Sequence, residues 1–137
     1  MTRKLKKPFS YLVIIWAIIG ALYHIYGIYI GIITPMIHSA LHVGIVTPLI
    51  FLLYKKDKYS PNDTVPWYDL CAALLGIITT TYVVINYYEF LYRSIYPTLL
   101  DCVMGTILIL LILEATRRTM GIVIPILVII FLLYGIF

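Results

Sequence analysis

A chain of 137 residues that is 63% hydrophobic and 12% charged, with a mean hydropathy of +1.03, lies outside the range of soluble domains, which are about 45–50% apolar and about 25% charged. A soluble domain of this size could bury only about two-thirds of its unfolded surface, so the excess apolar area requires lipid as solvent. The net charge of +4 does not describe a nucleic-acid binder, because the ten basic residues fall in short clusters between apolar runs and form no continuous stripe for phosphates. Two cysteines, Cys71 and Cys102, exclude a disulfide framework and a C-x-x-C metal motif.

After the basic start MTRKLKK, residues 9–29 carry no formal charge and reach the roughly 20 residues that cross about 30 Å of hydrocarbon. The run outlasts the 7–15-residue apolar region of a signal peptide and lacks a clean small-x-small cleavage site, so it reads as an uncleaved first span. The connection GIITP leads to a second span over 35–54, interrupted by Pro48, whose missing N–H favours a kink. The stretch KKDKYSPNDTVP over 55–66 is an aqueous loop by its Ser, Pro, Asn and Asp content. A third span is predicted over 67–88, a connection over 89–97, a fourth span over 98–115 ending in TRR, and a fifth over 119–137.

The fold class that follows is all-α: a polytopic transmembrane helix bundle of about five spans, with a four-helix region over 1–118 and the fifth span after it. Basic residues set its orientation. Arg3, Lys4, Lys6, Lys7, Lys55, Lys56, Lys58, Arg117 and Arg118 fall on one set of faces and only Arg93 on the other, which predicts a cytoplasmic N-terminus. Tyr11, Tyr54, Tyr59, Trp67 and Tyr68 then mark the inner interface, and Tyr26, Tyr29, Tyr87, Tyr88, Tyr92, Tyr96 and Tyr134 the outer one. Trp16, Tyr23 and Tyr82 fall deeper, where a buried hydroxyl or indole N–H needs a partner, so they are expected to face other helices. A cysteine at Asn62 should be reachable from inside, and one at Ser94 from outside.

His38 and His42 lie four apart on the second span, the spacing of a two-histidine metal site, and His24 sits near the same end of the first span. No H-E-x-x-H base accompanies them. They are read as imidazoles hydrogen-bonded between helices or to lipid headgroups, with a three-histidine membrane metalloenzyme as the competing reading and no metal ligand assigned. Asp69 opens the third span near Lys55, Lys56 and Lys58. Glu89 and Asp101 bracket Arg93, and Asp101 also complements a helix N-terminus. Glu114 in LEATRR faces Arg117 at i+3 and Arg118 at i+4, either as an anchored stop at the cytoplasmic boundary or as a polar hinge before the fifth span. The sequence contains no catalytic Ser/His/Asp or Cys/His set and no phosphate-cradling glycine loop, so no catalytic or cofactor-binding residue is assigned.

The stretches VPWYDLCAALLG, TTYVVINYYEFLYR and LLDCVMGTILILLILEATRRTMGIVIPILVIIFLLYGIF resemble the fused permease of tripartite ATP-independent periplasmic (TRAP) transporters. LEATRR with Gly121 and the proline-containing run around Pro125 is the most specific part. The segment MIHSALHVGIVTPLIFLLYKK resembles that family's second span, with His38 early and Tyr54 before the loop. The resemblance makes Glu114, Arg117, Arg118, Gly121, Pro125, His38, Asp69 and Asp101 structural or motif residues. It implies a secondary transporter, typically sodium-coupled, in a bacterial or archaeal cytoplasmic membrane, taking solutes such as organic acids from a periplasmic solute-binding protein. The family's sodium and substrate sites lie in a large transport region beyond the part matched here. Its small region braces that partner and offers a periplasmic surface. A self-standing small membrane protein assembling with a partner is the alternative.

Overall fold

A computed structural model describes residues 2–7, 9–31, 34–57, 59–93 and 95–136, apart from the side chain of residue 136. The described residues form six helices: α1 (Phe9–Ile30), α2 (Pro35–Leu53), α3 (Trp67–Ile85), α4 (Tyr87–Tyr92), α5 (Leu99–Met120) and α6 (Val123–Ile136). Four of these, α1, α2, α3 and α5, are long and apolar enough to cross a membrane. Large apolar side chains such as Ile18, Leu22 and Ile25 face outward on them, the reverse of a water-soluble bundle. The chain is a multi-pass α-helical membrane protein.

The helix ends differ from the hydropathy boundaries, for local reasons. The third apolar run breaks at Asn86, whose side-chain amide donates to the Tyr82 carbonyl at 2.9 Å. The stretch expected as a connection from Glu89 begins inside the short helix α4. The fourth long helix, α5, starts on a capping box, with the Asp101 N–H donating to Thr98 Oγ1 and the Thr98 N–H to Asp101 Oδ2, an arrangement that satisfies two otherwise orphaned donors. It then runs past Ala115 to Met120, with Arg117 and Arg118 of its last turn paired to Glu114 and Asp69. Gly121 ends it at φ 87° and ψ −175°, a backbone region that is essentially glycine's alone. The last apolar run is the 14-residue α6, which covers about 21 Å at 1.5 Å per residue, against about 30 Å of hydrocarbon. It packs along α5, with Pro125 buried.

The helix α2 is central, touching α1, α3 and α5. Close approach rather than apolar bulk joins it to α3. A Cβ on Gly44 would stand 2.5 Å from Thr80 Oγ1 and 3.1 Å from Thr80 Cβ, while one on Gly76 would stand 3.1 Å from Thr47 Cγ2. Small residues at crossing points let backbones meet where lipid supplies no hydrophobic drive. The hydroxyls in this seam are satisfied within α3: Thr79 Oγ1 donates to the Leu75 carbonyl and Thr80 Oγ1 to that of Gly76, both at 2.8 Å. On the other side of α2, Trp16 Nε1 donates 3.0 Å to the Ile45 carbonyl. That carbonyl lies one residue from Gly44, which Pro48 leaves without its usual intrahelical donor. The pairings Trp16 with Ile45, Gly44 with Thr80, and Tyr82 with Asp101 make α1–α2, α2–α3 and α3–α5 successive antiparallel neighbours.

Replacing Gly44 by Ala should cost about 1–3 kcal/mol, the usual penalty of overpacking, because the β-branched Thr80 cannot swing clear without breaking its bond to Gly76. A Cβ on Gly105 would meet nothing within 4 Å, so Gly105→Ala should be neutral or gain up to about 1 kcal/mol. Thermal unfolding of the purified variants in detergent checks both.

Candidate functional site

The polar side chains gather at two ends of the bundle and in one histidine group between α1 and α2. The charged end is organised around Asp69, which is fully buried in the first turn of α3. Arg3 and Arg118 approach it from opposite sides. The Arg3 guanidinium forms a short ion pair with Asp69 Oδ2, and Arg118 Nη1 lies 2.7 Å from Asp69 Oδ1. The second contact is off the hydrogen-bonding line, so it acts by charge. Arg118 Nε also donates 2.8 Å to Glu114, which accepts a two-pronged contact from Arg117 at 2.7 and 2.8 Å.

The arginines also collect the carbonyls that the end of α2 leaves without intrahelical donors. Arg3 Nη1 donates 2.8 Å to Phe51 and 3.2 Å to Leu52, and Arg118 Nη1 donates 3.3 Å to Tyr54. The Arg118 guanidinium lies 4.7 Å from the centroid of the Phe51 ring, the geometry of a cation–π contact. Phe51, Ala73, Leu111 and Ala115 form the buried apolar cluster beneath. The first residues run extended alongside, with a bridge from Thr2 to Tyr54, the Arg3 N–H donating 2.7 Å to Leu53 and the Lys4 N–H 3.2 Å to Asn62. One carboxylate therefore ties together the N-terminal segment, the end of α2, the start of α3 and the end of α5.

This corrects the expected partners of Asp69. Lys55 bonds to Asn62 instead, Lys56 lies over the Tyr68 ring at 5.9 Å, and Lys58 is outside the described residues. The planar fork of arginine can face a carboxylate and backbone carbonyls at once, which a lysine point charge does less well. Charge counting gives Arg3 no role beyond orientation; its one distinguishing signal is that it is the lone arginine among the lysines of MTRKLKK. At the rim, Lys6 lies 2.9 Å from Asp63, with both side chains exposed. The hydrogen bond that Lys6 donates to Asp63, and then the charge of Asp63, raise the Lys6 amine above its usual value. Any contribution of that pair is complete at neutral pH and is lost only as pH climbs through the alkaline range where the amine loses its proton.

At the opposite end, Arg93 lies 2.9 Å from Glu89 and 3.2 Å from Asp101. The Tyr82 hydroxyl donates 2.5 Å to the same Asp101 oxygen, joining α3 to the start of α5. A cysteine at Ser94 would fall outside the described residues. Between α1 and α2, His42 Nδ1 and His24 Nε2 are 3.0 Å apart, and the Tyr23 hydroxyl is 3.3 Å from His38 Nδ1. Trp16, Tyr23 and Tyr82 thus each meet a partner on a neighbouring helix. Among the described residues, no set of three or more histidine, cysteine, aspartate or glutamate side chains is ready to hold a metal ion.

Chemically, Asp69 faces a guanidinium group on each oxygen, which makes it an electrostatic tie. The arrangement is a structural lock at one end of a membrane bundle. No protein-family model, no curated protein and no solved structure matches the chain.

Removing the tie should be costly. Asp69→Asn leaves the buried Arg3 without a counter-charge and Arg118 with Glu114 alone, and should lose about 3–5 kcal/mol. Glu114, whose side chain is 31% exposed, should lose at most about 1 kcal/mol on change to Ala. Equal melting temperatures for Asp69→Asn and wild type in detergent would show that the junction carries no stability.

Proposed function

We propose that the chain is the scaffold-like N-terminal part of a TRAP-type permease. It braces a large membrane transport region that takes organic acids or similar solutes from a periplasmic solute-binding protein, with cation coupling, typically by sodium, located in that partner. The observation that carries the reading is that the motif LEATRRTMG has a physical task at each marked position. Glu114 holds Arg117 and Arg118, Arg118 reaches across to the buried Asp69, Gly121 supplies the turn, and Pro125 packs back against α5. Such a joint holds the segment after α5 at a fixed angle to the four long helices, as a brace for a moving partner requires.

In this reading the charged end and the N-terminus face the cytoplasm of a bacterial or archaeal cell, as the clustering of basic residues at that end favours. The α3–α5 connection, with Tyr96 exposed, then faces the periplasm and the solute-binding protein, and α6 begins a fifth crossing. His38 serves the α1–α2 contact, and Asp101 fastens the periplasmic end.

Labelling and uptake together test this reading. In a background lacking Cys71 and Cys102, Asn62→Cys should react with an impermeant maleimide only from inside and Tyr96→Cys only from outside. Uptake of a radiolabelled organic acid should require this chain, the transport region and the solute-binding protein together. Uptake that persists without this chain would overturn the scaffold role and leave a self-standing membrane protein. Gly121→Ala, strained by about 1–3 kcal/mol at its backbone angles, should reduce uptake while Gly105→Ala does not.

A further inference from the structure

The imidazoles of His24, His38 and His42 form a group to which the transport reading gives no role beyond the contact of His38 between α1 and α2. The rings of His38 and His42 lie 5.2 and 4.9 Å from that of His24, centroid to centroid. They border an open groove of about 500 Å³ whose other walls are Ile28, Ser39 and Val43. Two ring nitrogens from different helices, His24 Nε2 and His42 Nδ1, already converge to 3.0 Å. Three further ring nitrogens, His24 Nδ1, His38 Nε2 and His42 Nε2, have no hydrogen-bond partner among the described residues, although unpaired polar atoms against an apolar wall are unfavourable.

From this geometry we infer that His24 and His42, with His38 as third ligand, form a binding site for a late first-row divalent cation such as Zn2+ between α1 and α2. A tetrahedral ion with metal–nitrogen bonds of about 2.0–2.1 Å holds its ligating nitrogens about 3.3–3.4 Å apart. The observed 3.0 Å separation reaches that value by a side-chain adjustment of a few tenths of an ångström. The proton now shared between His24 and His42 moves to the far nitrogen of its own ring, so both inner lone pairs face the cation.

Tyr23 supplies the usual support for a ligating histidine. With His38 Nδ1–H donated to the Tyr23 hydroxyl oxygen, 3.3 Å away, the lone pair falls on Nε2, and outer partners of this kind orient metal-bound imidazoles. The three rings as they stand form no ready threefold set, so His38 reaches the ion only by a side-chain movement in which the Tyr23 hydroxyl follows it. The fourth position opens to the groove and takes water. The ligand chemistry selects the ion: three neutral imidazoles without a carboxylate suit Zn2+, Co2+, Ni2+ or Cu2+, whereas Mg2+ and Ca2+ require oxygen donors. A bound cation clamps α1 to α2 at the end opposite the Asp69 junction.

The test uses the full chain without a purification tag, in detergent, dialysed against Zn2+ and separately against Co2+. One equivalent of either ion per chain is expected, with the visible absorption of four-coordinate Co2+ and no retention of Mg2+. His24→Gln and His42→Gln, which keep a hydrogen-bonding group, should each weaken Zn2+ binding by about tenfold or more, while Gly105→Ala, away from the groove and with room for a Cβ, should bind as wild type does. Substoichiometric Zn2+ in the wild type, or wild-type affinity in either glutamine variant, would overturn the site and leave a hydrogen-bonded histidine cluster. Should the glutamine variants fail to fold, the wild-type Co2+ spectrum decides alone: six-coordinate, water-like bands reject the site.

Discussion

A carboxylate removed completely from water has to be met by positive charge, and that requirement at Asp69 orders the rest of the bundle. Desolvating an ion costs roughly several kcal/mol even after relaxation, so Asp69 is stable only where Arg3 and Arg118 arrive together. Bringing them there fixes the register of the N-terminal segment against Tyr54, the height of α5 against α3, and the end of α2, whose carbonyls take the remaining guanidinium hydrogens. Arg118 also roofs the apolar cluster through Phe51. Charge and packing at this end are therefore one structure.

Away from that junction the helices are held by proximity. In a bilayer, leucine against leucine gains little over leucine against lipid, so association depends on close packing and on polar contacts. The α2–α3 seam uses Gly44, Gly76, Thr47 and Thr80, with the hydroxyls of Thr79 and Thr80 turned back on their own helix. Helix α1 is fastened by separate polar contacts, Trp16 to a backbone carbonyl near Pro48 and the Tyr23 and histidine group further along. The Arg93, Asp101 and Tyr82 contacts close the far end of α3 and α5. Each long helix thus has at least one polar fastening at a different depth, which sets rotation as well as position.

The sequence by itself determined the solvent and the elements. Uncharged runs of about 20 residues leave no alternative to helices in lipid, because every backbone polar group must be satisfied within its own segment. Local chemistry also fixed the i+3 and i+4 contacts of Glu114, since those side chains are neighbours on any helix. Hydropathy misplaced the end of α5, because it counts Glu114, Arg117 and Arg118 as a boundary without registering that Glu114 and Asp69 pair with the two arginines. It also read through the break at Asn86, where backbone and side-chain N–H groups both donate to the Tyr82 carbonyl.

Only the tertiary structure decided the partners. Asp69 lies closer in sequence to Lys55 and Lys56 than to Arg3 or Arg118, but which cation reaches a buried carboxylate depends on how four distant segments converge. Hydropathy and charge counts carry no record of that convergence. The same holds for His24, which the sequence puts near the same end as His38 and His42. Their ring-to-ring contacts come from the antiparallel pairing of α1 with α2, whose rotation is set by Trp16 against Ile45 and by the close approach of Gly20 to Ile45. Periodicity fixes a face of one helix; the distance between nitrogens on two helices exists only after packing.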